Sequence, residues 1–105
     1  MIVRDMLVTI EKSLYDKLKE EAKERGISVP AVLREILLDY FNLEDNTKSY
    51  SRVEPSNEVM TIGEKAYVRL QVRMQKENEL FIKNELKKRG MSINQLLKNE
   101  VLLTA

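Results

Sequence analysis

The sequence predicts a mainly α-helical fold with a short antiparallel β-ribbon, built from a strand-helix-helix unit that occurs twice in one chain. Three observations predict it. First, Lys23-Glu24-Arg25-Gly26-Ile27-Ser28-Val29-Pro30-Ala31-Val32-Leu33 returns as Lys87-Lys88-Arg89-Gly90-Met91-Ser92-Ile93-Asn94-Gln95-Leu96-Leu97, at a constant offset of 64 positions. Repeats of this kind set the architecture before any single element does. Second, a stretch of period-two alternation lies upstream of each copy. Third, each copy sets Gly-x-Ser between two stretches of helical periodicity.

The first strand is expected around Met6, where Met6, Val8 and Ile10 share one face and Leu7, Thr9 and Glu11 the other. A helix then opens near Ser13, a residue suited to capping. Leu14, Leu18 and Ala22 are spaced four apart and form its apolar face. Gly26 follows Lys23 and Arg25, the pattern of a helix closed by a left-handed residue with cations in its last turn. Ser28 caps the second helix, with Pro30 in the first turn, where a missing amide costs nothing. Val29, Val32, Leu33, Ile36, Leu37 and Tyr40 make its buried stripe. Leu38 and Phe41 fall outside that stripe and are candidates for contact between chains.

Residues 43–65 read as a polar connector, rich in Asn, Ser and acids, with Pro55 and Gly63. Within it, Val59-Met60-Thr61-Ile62 is an apolar stretch able to order locally. Fully extended, at about 3.3 Å per residue, the connector reaches about 75 Å and does not restrict how the units meet.

The second strand alternates more cleanly: Val68, Leu70, Val72 and Met74 against Tyr67, Arg69, Gln71 and Arg73. Ile82 and Leu86 match Leu18 and Ala22, and Gly90 matches Gly26. Ser92 and Gln95 fit a capping box. The last helix is expected to be shorter, the sequence stopping at Ala105, and, with Glu100 where the first unit has Ile36, less buried or covered differently. The expected units are therefore 1–42 and 66–105.

A lone strand leaves a row of backbone donors and acceptors unpaired. The remedy is a partner with the same pattern. Residues 6–11 are expected to pair with 70–75 of the same molecule, with exchange between molecules as the alternative. Met6, Val8, Ile10, Leu70, Val72 and Met74 then form the buried underside, and the other ribbon face is free to touch something.

Composition narrows the chemistry. The 105 residues and 12.3 kDa suit one domain, 33% charged and 43% hydrophobic. There is no histidine and no cysteine, and only three glycines. Thiolate catalysis, Cys-based zinc sites, Ser-His-Asp triads and glycine-rich phosphate loops are thereby removed. No enzymatic activity and no cofactor are expected. No membrane span is expected, because no apolar run approaches 20 residues. Met1–Asp5 reaches charge too soon for a secretory leader, so a cytoplasmic protein is expected. Net charge is uneven: residues 1–42 carry seven Lys/Arg and eight Asp/Glu, 43–65 three and five, 66–105 eight and four. The basic second unit points to a polyanion, with an uneven solvated surface as the alternative.

The alternating strand, the helix closed by Gly-x-Ser (Gly26-Ile27-Ser28, Gly90-Met91-Ser92) and the apolar second helix resemble the ribbon-helix-helix family of transcription regulators. The resemblance spans 6–41 and 67–103, and the tandem form is similar to regulators of archaeal viruses and plasmids. It implies a sequence-specific regulator, activator or repressor, whose ribbon enters the DNA major groove. It makes Arg69, Gln71 and Arg73 base readers: Arg forks onto guanine O6 and N7, Gln onto adenine N6 and N7. Leu7 and Thr9 are the first strand's candidates, beside a thymine methyl and a hydrogen-bonding edge, while Asp5 would repel phosphate. Ser28, Ser92 and Asn94, at helix amino ends, are implied as phosphate contacts. The implied partner is a double-stranded operator, bound by two or more chains on an inverted repeat, with no small-molecule substrate. The alternative reading is an antitoxin-like protein-interaction module that also binds its own promoter.

Overall fold

A computed structural model of the chain describes residues 2–45 and 58–102. The element order is β1 (Val3–Glu11), α1 (Lys12–Arg25), α2 (Val29–Tyr40), β2 (Glu58–Ile62), β3 (Lys65–Gln75), α3 (Lys76–Arg89) and α4 (Ile93–Leu97), followed by a wide π-helical turn, Lys98–Leu102. The strands form one antiparallel sheet in the order β1-β3-β2.

β1 pairs with β3 of the same chain. Val3 lies opposite Gln75 and Glu11 opposite Tyr67, so residues 6–11 face 67–72 rather than 70–75. In this register Leu7 sits opposite Gln71, and these two positions are also related by the offset of 64. The two repeats therefore cross at their own equivalent residues.

The underside of this pairing is closed off. Met6, Val8, Ile10, Val68, Leu70, Val72 and Met74 are all at most 2% exposed. They pack with Leu14, Leu18 and Ala22 of α1, Val29, Val32, Leu33 and Leu37 of α2, Ile82 and Leu86 of α3, and Leu96 and Leu97 of α4. Burial of these side chains, at roughly 1.5–3 kcal/mol each, is the main force holding the helices to the sheet.

Gly26 and Gly90 close α1 and α3 in the left-handed conformation, with φ of 67° and 58°. Ser28 accepts from the Ala31 amide, and Ser92 and Gln95 form a reciprocal capping box.

Three expectations are corrected. Ser13 does not cap α1: the helix follows β1 directly, and Glu11, at its cap position, makes no side-chain cap bond. Leu38 is 2% exposed and belongs to this chain's own core, so it offers nothing to a second molecule. α2 is buried on more than one stripe because it packs on β3 as well as on α1. Third, the ribbon is not two-stranded throughout. Glu58–Ile62, inside the expected connector, forms β2 and turns through Gly63 (φ 64°) into β3. Residues 46–57 of that connector lie outside the described residues.

Candidate nucleic-acid interface

Period-two alternation puts every second residue of β1 and β3 on the face away from the helices. Asp5, Leu7 and Thr9 of β1 and Arg69, Gln71 and Arg73 of β3 are all exposed there. Antiparallel register joins them as three cross-strand pairs: Asp5 with Arg73, Leu7 with Gln71, Thr9 with Arg69. The five side chains implied as base readers thus lie on one surface. Leu7 is 60% exposed, a large apolar side chain left in water.

Both ends of this surface are held by the second helix of each unit. The Asn94 amide spans the end of β1: its Oδ1 accepts from the Glu11 amide at 2.9 Å, and its Nδ2 donates to the Thr9 carbonyl at 3.3 Å. Lys98 Nζ lies 2.7 Å from Glu11 Oε2, and Lys65 Nζ 3.8 Å from Glu11 Oε1. The hydrogen bond from Lys98, with the charges of Lys98 and Lys65, holds the Glu11 carboxyl below its ordinary value, against a smaller opposing effect of burial. At the other end Arg34, buried on α2, donates through Nη1 to the Arg73 carbonyl at 3.5 Å and pairs through Nε with Asp45 Oδ2 at 3.1 Å.

Arg34 on α2 and Lys98 in the π-helical turn after α4 are equivalent under the offset of 64, and each holds the far end of the other unit's strand. Comparing the two α-helical stripes position by position would have singled them out. Asp5, set aside as a mere repulsion, also belongs to the surface by register.

The helix amino ends are unlike each other. Ser28 is buried, at 1% exposure, whereas Ser92 is exposed. The Asn94 side chain is committed to β1, so any contact of Asn94 with an anion falls to its main-chain amide.

The ribbon-helix-helix, copG family profile matches residues 8–44, the last four residues of β1 with all of α1 and α2. An uncharacterized protein of Sulfolobus islandicus filamentous virus is 69% identical over 100 residues, covering 95% of this chain and 99% of that one. Another, from Acidianus filamentous virus 2, is 46% identical over 99 residues, covering 94% and 99%. The solved structure of AvtR, described as a transcriptional regulator from a hyperthermophilic archaeal lipothrixvirus, superposes with a TM-score of 0.79 at 41% identity, covering 91% of this chain and 98% of that one. The chain belongs to the ribbon-helix-helix family. Its membership rests on both the helical signature of the first unit and a likeness that runs through the second. The two relatives named above come from filamentous viruses, and AvtR from an archaeal lipothrixvirus.

Proposed function

We propose that the protein is a sequence-specific double-stranded-DNA-binding transcription regulator that inserts its β1–β3 ribbon in the major groove. The observation that carries this reading is the exposed Arg69-Gln71-Arg73 face over a fully buried underside. Guanidinium forks and a carboxamide are the groups that match base edges in that groove, which is about 12 Å wide and admits a two-stranded ribbon. The likeness to AvtR, itself described as a transcriptional regulator, supports it.

In this reading residues 1–42 and 66–105 are two ribbon-helix-helix units, 43–65 joins them, and one chain supplies both strands of the reading ribbon. Arg69, Gln71, Arg73, Thr9 and Leu7 meet bases. The amino ends of α2 and α4, at Ser28 and at Ser92 and Asn94, approach phosphates, the exposed Ser92 end more openly than the buried Ser28 end. The two strands carry different side chains, so a single chain reads an asymmetric site. An inverted-repeat operator then takes two or more chains.

The test is selection of bound duplexes from random sequence, followed by titration. Arg73→Ala is expected to cost about 1–3 kcal/mol and to relax preference at one base position. Equal weakening on every duplex would remove base reading from Arg73. Affinity is also expected to fall steeply with salt, since each neutralised phosphate releases counterions.

A further inference from the structure

Of the six central side chains on the outer ribbon face, five suit a duplex by donating, accepting or making apolar contact. The sixth is a carboxylate. Asp5 is exposed, makes no ion pair or side-chain hydrogen bond among the described residues, and so has no structural duty there. On a surface facing a polyanion it lowers affinity for any phosphate. Its equivalent in the second unit is Arg69, of opposite charge.

Register sets Asp5 directly opposite Arg73. Such cross-strand pairs bring their Cβ atoms to about 5 Å, so both side chains reach the same small region of the groove. An ionised carboxylate only accepts hydrogen bonds. The donors that bases present in the major groove are cytosine N4 and adenine N6. Arg73, forking onto guanine O6 and N7, lies beside one of them, because cytosine N4 of the same base pair is hydrogen-bonded to that O6 at about 3 Å.

We propose that Asp5 is a specificity-determining residue: its carboxylate accepts from cytosine N4 of the G·C pair whose guanine Arg73 reads, and it repels other placements of the ribbon. This rests on the DNA-binding reading above. Asp5 and Arg73 thereby act as one reader for a whole base pair. A thymine O4 or a guanine edge beneath Asp5 sets acceptor against acceptor, and a phosphate sets charge against charge. The acid gives up affinity everywhere and recovers it at one base pair.

The experiment uses the full chain as wild type, Asp5→Ala and Asp5→Asn. Each is put through selection from random duplexes, then titrated by fluorescence anisotropy against the wild-type optimum and an unrelated duplex of equal length. For Asp5→Ala the expected result is loss of preference in one G·C column, by roughly tenfold, with the other columns unchanged. Its binding to the unrelated duplex is expected to tighten several-fold. Asp5→Asn, which keeps an acceptor but loses the charge, is expected to retain more of that G·C preference than Asp5→Ala while also binding the unrelated duplex more tightly than wild type. Unchanged motifs and unchanged affinity for the unrelated duplex in both variants would overturn the proposal. A wild-type chain that binds duplexes but enriches no motif, or binds none, would instead defeat the base-reading interpretation and the Asp5 role with it. Because Asp5 is exposed, the unfolding midpoint checks that each variant remains folded.

Discussion

Asn94 and Glu11 connect the two repeats at the scale of single side chains. The Asn94 carboxamide bonds the backbone of the edge strand β1 near its end, satisfying one amide and one carbonyl at once. Removing it leaves both groups to water or unpaired. Asn94→Ala is therefore expected to destabilise the chain by about 1–2 kcal/mol, read as a lower urea midpoint at unchanged slope. Glu11 supplies a pH dependence. Its folded-state carboxyl titrates below the ordinary 4.5 because Lys98 donates to it. A depressed folded value means stability fully present above the ordinary value and lost as pH falls through the lower one. Glu11→Gln is expected to flatten the acid limb of stability below about pH 5 while changing little at pH 7 beyond the loss of a partly exposed ion pair. A wild-type and variant pair with parallel acid limbs would contradict this. Neither role was readable in the sequence: Asn94 stands where the first unit has Pro30, and its position suggested a helix-end contact. What it touches depends on where β1 ends relative to α4, which is decided by strand register.

At the scale of elements, α4 is the shortest helix and relies most on its cap. Its Ser92–Gln95 box satisfies two amides that no turn of the helix can reach. Ser92→Ala is expected to cost about 1 kcal/mol, measured by chemical unfolding. A change much below that would mean that packing of Leu96 and Leu97 alone holds α4. The helices and the two main strands were legible because each carries a periodicity that its own burial reproduces: Met6, Val8 and Ile10 inward, Leu14, Leu18 and Ala22 inward. β2 was only hinted at by Val59–Ile62. Val59 and Ile62 remain 58% and 64% exposed, so little burial marks them, and the strand exists through pairing with β3 and the turn at Gly63. Leu38 was misplaced for the opposite reason. A single stripe describes a helix buried on one side, and α2 meets both β3 and α1.

At the scale of the whole molecule, β1–β3 pairing inside one chain makes the core unimolecular. Thermal unfolding of the full chain is therefore expected to have a midpoint independent of protein concentration, tested over a hundredfold range. A midpoint that rises with concentration would indicate that strands are exchanged between molecules. No described helix is long and apolar enough to cross a membrane.

Local patterning was enough to define the repeat, the helices, the Ser28 and Ser92 caps, the glycine stops and the apolar side of each strand, but not the start of α1. These follow from local periodicity and backbone preference, which are properties of neighbouring residues. Tertiary structure alone decided that Asp5 faces Arg73, that Asn94 and Lys98 grip the end of β1, that Leu38 is core and that a third strand joins the sheet. Those facts depend on how separate segments register and pack against one another, where the energy of a contact is set by geometry that no local pattern encodes.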